Sequence, residues 1–341
     1  MKDKVKGIEN DNISKCIANI EKKFGKGAIM NFDSKTDKSI KRFSTGSLQI
    51  DSIIGGGWPR GRIVEVLGSE SGGKSSLALH SAAEVQKEGG VVLYIDTEHS
   101  MSPDYAENLG VSLSKNDFIF SQPDYGEQAL DIAESFIQSG EVQLIIVDSV
   151  AALIPKAELE GEFNEVKVGL HARLMSQAMR KLAGLVNKTD CVLLFINQYR
   201  KSIGGMSFYG PNEVPTGGES LKYYASIRID MRRSGQAEKD DEGRPISNRV
   251  KVKVLKNKTF PPFKECFFDI IYGEGIDRVK EIVDLAVQHE IIEKKSSWYS
   301  YKNEDGKENK LGQGEDNARI TLLNNPKLTD EILEQVKKKA L

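Results

Sequence analysis

Gly68-Ser69-Glu70-Ser71-Gly72-Gly73-Lys74-Ser75 matches, without a mismatch, the pattern Gly, four residues, Gly-Lys-Ser/Thr of a phosphate-binding loop. In front of it Ile63-Val64-Glu65-Val66-Leu67 predicts a buried strand; behind it Ser75 to Gln86, with Leu77, Leu79, Ala82, Ala83 and Val85, predicts a helix. Strand, loop and helix in that order is the context the pattern requires. Successive glycines let backbone N–H groups close around phosphate oxygens at a helix N-terminus, where unpaired donors and the dipole favour anions. Lys74 is placed to reach the β and γ phosphates and Ser75 to ligate Mg²⁺. Residues Gly68 to Ser76 are therefore expected to hold a nucleoside triphosphate.

Outward from this loop, apolar runs alternate with helical patterns from Thr45 to about Tyr272: Ile63–Leu67, Val91–Ile95, Phe118–Phe120, Leu144–Val147, Val192–Ile196, Ile227–Met231 and Val250–Leu255. Such alternation predicts an α/β fold with a doubly wound, mainly parallel sheet, whose ligands sit at the carboxyl ends of the strands. Chemistry-bearing residues do follow the runs. Glu98 comes just after Val91–Ile95, where a carboxylate can orient or deprotonate the water that attacks a γ phosphate, and Asp148 ends Leu144–Val147, where an aspartate holds Mg²⁺ through water. Asp148 as a helix cap and Glu98 as a solvated strand-end acid are the plain alternatives.

After Val192–Ile196 come Asn197-Gln198 and a glycine- and proline-rich stretch to Gly218, read as a loop that carries Tyr199, Arg200, Lys201, Phe208 and Tyr209. Cations with aromatics suit a single-stranded nucleic acid; a lid without nucleic acid is the other reading. Gln198 stands where it can report the γ phosphate to this loop. A second loop, Lys156 to Val168, is acidic and leads into the helix Gly169–Leu185 with Arg173, Arg180 and Lys181. In Arg249-Val250-Lys251-Val252-Lys253-Val254 the cations share one strand face, and Arg228, Arg232, Arg233 and Lys256-Asn257-Lys258 extend a basic patch that is either a nucleic-acid surface or a solvated face.

The chain has 341 residues, enough for one large domain and small appendages, and its net charge of −2 does not by itself advertise a nucleic-acid binder. Cys16, Cys191 and Cys266 are far apart, which argues against a disulfide framework and, with no apolar leader or membrane-span run, for a cytoplasmic protein. Ile13, Ile17, Ile20 and Phe24 describe an amphipathic helix that docks either on its own core or on a neighbouring subunit. Beyond Gly275 a small α+β unit is expected, with Val279, Ile282, Val283 and Leu285 on a helix, Trp298, Tyr299 and Tyr301 packed, and a last helix over Thr329–Lys339. The expected division is 1–44 for docking, 45–275 for the nucleotide core and 276–341 for the appendage.

Thr45-Gly46-Ser47-Leu48, Gly61-Arg62-Ile63-Val64-Glu65, the phosphate loop, Ile95-Asp96-Thr97-Glu98-His99, Met175-Ser176-Gln177-Ala178-Met179-Arg180-Lys181-Leu182, Phe195-Ile196-Asn197-Gln198, Thr216-Gly217-Gly218 and Tyr272-Gly273-Glu274-Gly275-Ile276 together resemble the bacterial RecA recombinase family over about residues 13–323. The resemblance implies a RecA-like P-loop NTPase fold, and a DNA-dependent ATPase that polymerises as a helical filament on single-stranded DNA. It further implies pairing with homologous duplex, strand exchange, and promotion of SOS repressor self-cleavage, with ATP and Mg²⁺ as cofactors. By the same resemblance Glu98 is the catalytic glutamate, Gln198 the γ-phosphate sensor, and Tyr105 the aromatic that stacks on adenine. Lys256 and Lys258 would reach a neighbouring subunit's nucleotide. Arg173, Arg180, Arg200, Thr216, Gly217 and Gly218 would belong to the primary DNA loops, and Arg232, Arg233, Lys251 and Lys253 to a second site for duplex. The helix at Ile13–Phe24 would dock on the adjacent protomer.

The chain departs from the family pattern in places. Ser102 stands where many members have an aspartate near adenine; residues 202–215 form a longer loop, with Ser202 for a common lysine and Glu219 for a common asparagine; and Lys337-Lys338-Lys339-Ala340-Leu341 stand where many members have an acidic tail that restrains duplex binding. A ring-forming motor or helicase on the same core is the alternative function; it would not need the docking helix or the C-terminal unit.

Overall fold

The computed structural model describes residues 11–25, 28–29, 40–162, 169–207, 210–235, 238–240, 242–303 and 308–341, without the side chains of Asp11 and residues 201–212. Phe208, Tyr209, Glu165, Val168 and most of the linker after Asn31 lie outside the described residues, as do the side chains of Lys201 and Ser202. The chain divides into two compact units, Met1–Ser39 and Ile40–Leu341.

In the first unit the apolar spacing forms helix α1 (Asp11–Phe24), with Lys22 and Lys23 in the last turn, where cations favour the helix dipole. Its Ile13 and Phe24 are exposed.

The second unit opens with β1 (Arg42–Phe43), which pairs antiparallel with β2 (Trp58–Pro59) across α2 (Leu48–Ile54). Residues 42–43, placed by composition with the docking arm, are thus part of this unit. Next come β3 (Ile63–Gly68), α3 (Lys74–Lys87), β4 (Val91–Asp96), α4 (Pro103–Asn108), β5 (Phe118–Ser121), α5 (Gly126–Ser139), β6 (Val142–Asp148), α6 (Lys156–Leu159) and α7 (Leu170–Val186). They are followed by β7 (Val192–Ser207), β8 (Gly210–Pro215), α8 (Ser220–Tyr224), β9 (Ile227–Arg233), β10 (Ser247–Asn257), β11 (Glu265–Ile271) and β12 (Gly275–Ile276). The sheet runs β12-β11-β10-β9-β3-β7-β6-β4-β5. From β9 to β5 the neighbours are parallel; β9 to β12 form an antiparallel edge.

The parallel strands read as unbroken apolar runs because both of their faces are covered. On one face Val64, Val66, Tyr94, Ile146 and Leu194 pack against Leu77, Ala78 and Ala82 of α3. On the other, Ile63, Leu93, Ile145, Leu193 and Phe195 pack against α5, α7 and α8 through Leu130, Ala133, Met175, Met179 and Leu221. Strand β3 lies between β9 and β7, so the phosphate loop leaves the middle of the sheet with other strand ends on both sides.

The stretch after Val192–Ile196 is not a structureless loop. Strand β7 continues to Ser207 and pairs antiparallel with β8, with an irregularity between Lys201 and Met206. Backbone pairing needs no particular side chains, which is why glycines and prolines concealed this ribbon.

Beyond β12, α9 (Arg278–Gln288), β13 (Ile292–Lys295), β14 (Trp298–Lys302), β15 (Glu308–Gln313), α10 (Glu315–Leu323) and α11 (Pro326–Ala340) enclose a separate core of Ile282, Leu285, Tyr299, Tyr301, Leu311, Leu322, Ile332 and Val336. Trp298, expected in that core, is 53% exposed, because strand alternation in β14 turns Tyr299 and Tyr301 inward instead. Helix α10 had no counterpart in the sequence reading. The module is joined to α2 through buried Glu281 of α9, which hydrogen-bonds the Ser47 hydroxyl and accepts from Leu48 N at 2.9 Å. Burial raises the Glu281 carboxyl to about 8, so its proton stays on at neutral pH and no bare charge sits at this joint. Among the described residues no helix is long and apolar enough to cross a membrane.

Candidate nucleotide and DNA site

Close packing dictates the glycines of the phosphate loop. A Cβ on Gly68 would lie 2.1 Å from the Met231 carbonyl oxygen. Gly73, the N-cap of α3, has φ 82°, a left-handed conformation that a side chain would strain, and a Cβ there would meet Ile270 Cδ1 at 2.2 Å. The loop therefore hugs β9 and β11 and opens α3 with its N–H groups unpaired by side chains. Lys74 folds back, its Nζ donating to the Ser69 carbonyl at 2.6 Å. Burial holds this ammonium below the ordinary lysine value, against the opposing charges of Asp148, Glu98, Glu70 and Asp230.

Behind the loop, Ser75 Oγ donates to Asp148 Oδ2 at 2.7 Å, and Tyr94 OH donates to the same oxygen at 2.7 Å. Burial raises the Asp148 carboxyl, partly offset by the hydrogen bonds from Tyr94 and Ser75. Two hard oxygen ligands side by side suit Mg²⁺, which usually takes one or two protein oxygens and completes its shell with phosphate and water. Among the described residues no three His, Cys, Asp or Glu side chains converge as a metal cage. The residues present fit a cation that arrives with phosphates.

Glu98, after β4, is reached from two sides: the Ser149 hydroxyl hydrogen-bonds its Oε1, and Gln198 Nε2 donates to the same oxygen at 2.7 Å. Backbone bonds from Thr97 N and Glu98 N to the Asp148 carbonyl, 2.8 and 3.3 Å, hold the ends of β4 and β6 together. Ser76 Oγ and Tyr105 OH are 2.8 Å apart, placing the aromatic beside the start of α3. Ser102, the departure from the family pattern, is the N-cap of α4 and accepts from Tyr105 N at 3.3 Å, a task serine performs as well as aspartate.

The floor of the β7–β8 ribbon is a buried polar chain that the sequence alone did not reveal. Arg228 Nε donates to Glu65 Oε2 at 2.5 Å, Asn197 Nδ2 donates to Glu65 Oε1 at 2.8 Å, and the Thr216 hydroxyl hydrogen-bonds Asn197 Oδ1. Thr216 N also donates to the Gln198 carbonyl at 3.1 Å. Arg228 thus leaves the basic surface patch to which alternation assigned it: it shares a face with Glu65, and α7 and α8 cover that face. A charged residue inside the apolar run Ile63–Leu67 was the available signal. Arg228→Met is expected to cost about 3–5 kcal/mol, because it leaves the Glu65 charge buried and unpaired. Urea unfolding measures this; a loss below about 1 kcal/mol would place the pair on the surface scale.

Of the remaining predicted residues, Arg173, Arg180 and Arg200 are exposed on α7 and β7. Gly217 and Gly218 follow Thr216 with φ of 81° and 74°. Lys256 Nζ donates to the carbonyls of Lys222 and Tyr223 at 2.7 and 2.9 Å, and Lys258 Nζ to that of Tyr223 at 3.3 Å, so both cations sit at the C-terminal end of α8. On the outer edge Arg232 bonds Glu213 and Asp230, each at 2.8 Å, and lies over the Tyr199 ring. Arg233 bonds Asn248 and Tyr272, each at 3.1 Å, while Lys251 and Lys253 stand beside Glu265.

A family model described as the RecA N-terminal domain matches residues 11–277, and one described as the RecA C-terminal domain matches residues 280–341. The chain belongs to the RecA family. Among its RecA relatives are Protein RecA of Macrococcus caseolyticus (strain JCSC5402), 49% identical over 323 residues, 94% of this chain and 88% of the relative, and Protein RecA of Clostridium beijerinckii (strain ATCC 51743 / NCIMB 8052), 48% identical over 338 residues, 99% and 89%. Protein RecA of Thioalkalivibrio sulfidiphilus (strain HL-EbGR7) is 49% identical over 331 residues, 96% of this chain and 93% of that one. RecA membership makes the chain a recombinase and a DNA-dependent ATPase.

Proposed function

We propose that the chain hydrolyses ATP with the residues assembled around the phosphate loop, and that the Glu98–Gln198 hydrogen bond links this chemistry to single-stranded DNA held by the β7–β8 ribbon. That bond, 2.7 Å long, carries the reading. Gln198 belongs to β7, which continues into the ribbon, and Glu98 faces the place a γ phosphate takes beside Lys74. The N–H groups of residues 69 to 75 bind the phosphates, Lys74 leaves Ser69 to pair with the β and γ oxygens, and Tyr105 stacks on the base. Ser75 and Asp148 are the residues that would hold Mg²⁺, Asp148 through water, and the cation would supply neutralisation of phosphate charge. Glu98 takes a proton from water as its oxygen bonds to the γ phosphorus and the bond to the ADP oxygen breaks. Gln198, released from Glu98 by the phosphate, repositions the base of the ribbon.

Lys256 and Lys258 act on a neighbouring protomer's nucleotide in the manner of arginine fingers. In that arrangement ATP ties protomers together, residues 1–39 dock on the neighbour, residues 40–275 carry the chemistry and residues 276–341 form the appended module. Arg173, Arg180, Arg200 and Thr216–Gly218 hold the single strand; Arg232, Arg233, Lys251 and Lys253 receive duplex, and the filament offers a surface for SOS repressors. Steady-state hydrolysis with and without long single-stranded DNA, over a range of protein concentration, tests this. Stimulation that rises cooperatively with protein is expected, and equal turnover without DNA would remove the link.

A pH limb follows from the lysine pair. Burial, then the like charges of Lys258 and Arg228, bring Lys256 down to about 8. The cation that acts is present below that value, so DNA-stimulated turnover is expected to fall as pH rises through about 8. Lys256→Arg, charged throughout, should carry activity to higher pH; an identical alkaline limb in both proteins would assign it elsewhere.

A further inference from the structure

The outer face of the β9–β11 edge is less cationic than its sequence. Strands β10 and β11 pair antiparallel with Lys253 opposite Glu265 and Lys251 opposite Phe267. Residues two apart on a strand share a face, so the lysines and Glu265 project together. The Glu265 carboxylate is divided between them: Oε2 lies 2.8 Å from Lys251 Nζ and Oε1 3.6 Å from Lys253 Nζ. All three side chains keep water access, at 40%, 50% and 35% exposure, so the cluster is a surface a polyanion can reach. The Lys251 hydrogen bond holds the Glu265 carboxyl below its ordinary value, and it remains charged throughout the neutral range.

We propose that Glu265 is a built-in competitor for DNA phosphates at this edge, setting how tightly the chain captures a second DNA molecule. The inference rests on the reading of Lys251 and Lys253 as duplex-binding residues. A phosphate that approaches either ammonium shares it with a Glu265 oxygen or displaces that oxygen, and in both cases meets the repulsion of the carboxylate charge. The second site is thereby kept weak while its lysines remain in place. Exposed ion pairs of this kind are shallow, so displacement is easy and the competition is graded. Each phosphate neutralised on duplex DNA contributes about −0.9 to the slope of log affinity against log salt. Freeing both lysines adds up to two such contacts.

The test uses the full-length protein assembled on unlabelled single-stranded DNA with a slowly hydrolysed ATP analogue, and a fluorescently labelled duplex of unrelated sequence as the second molecule. Anisotropy over a salt series gives affinity and slope per assembled protomer. Glu265→Gln, which keeps the shape and removes the charge, is expected to tighten capture about tenfold at low salt and to steepen the slope by about one to two. Glu265→Ala should shift both in the same direction. The paired Lys251→Ala and Lys253→Ala variant should weaken capture. If the lysine variant weakens capture while neither Glu265 variant changes it, the lysines bind duplex and Glu265 is no competitor. If the lysine variant captures duplex as well as the unaltered chain, the edge is not the second site and the proposal fails with that reading.

Discussion

A Lys74→Ala chain is expected to fold and to lose ATP binding. In the structure the ammonium is bonded to the Ser69 carbonyl within its own loop and held below the ordinary lysine value by burial. Its charge is therefore disfavoured in the ligand-free fold, and truncation costs little stability. With ATP the balance reverses, because the same ammonium makes charge-assisted bonds to phosphate worth about 1.5–3 kcal/mol each. Losing its bonds to the β and γ oxygens should weaken binding at least a hundredfold, which is about 2.7 kcal/mol. Thermal unfolding separates the two effects. The unaltered chain gains about 2.7 kcal/mol of stability at a nucleotide concentration of about 100 Kd; the variant should unfold as before without nucleotide and gain no more than about 0.4 kcal/mol at that same concentration. A full nucleotide-dependent gain in the variant would take Lys74 out of the site.

Glu98→Gln is expected to slow turnover about 10²–10⁴-fold, the usual contribution of a positioned base, with ATP binding and assembly on single-stranded DNA retained. The carboxylate oxygen that would take the proton already accepts from Gln198 and Ser149, so an amide keeps the volume and loses the basicity. Single-turnover hydrolysis on preassembled filaments reads the chemical step directly. Unchanged turnover would move the base elsewhere, and lost assembly with intact chemistry would make Glu98 structural.

The nucleotide site was largely legible because its parts are local: one contiguous loop, and acids at the ends of apolar strands. The buried chain through Glu65, Asn197, Thr216 and Arg228 was not, because it ties Glu65 to Asn197 and Arg228, 132 and 163 positions away on the two strands that flank β3. Alternation placed Arg228 on a face with Arg232 correctly but gave no sign that helices cover one end of that face and leave the other open. The ribbon escaped for another reason: its pairing is made by backbone, to which composition is blind. Glu265 carried no signal of its own in the sequence, since its meaning depends on the strand opposite.

The clasp at the base of the ribbon has a consequence for how this lineage can vary. Asn197 and Gln198 on one side and Thr216 on the other are fastened to each other and to the sheet. Whatever lies between is a cassette clipped in at two fixed points. Doubling the length of such an insert costs only about 0.6 kcal/mol of closure entropy. Residues 201–212 can therefore drift in length and composition, or accept a graft, while the phosphate chemistry beneath them is inherited intact.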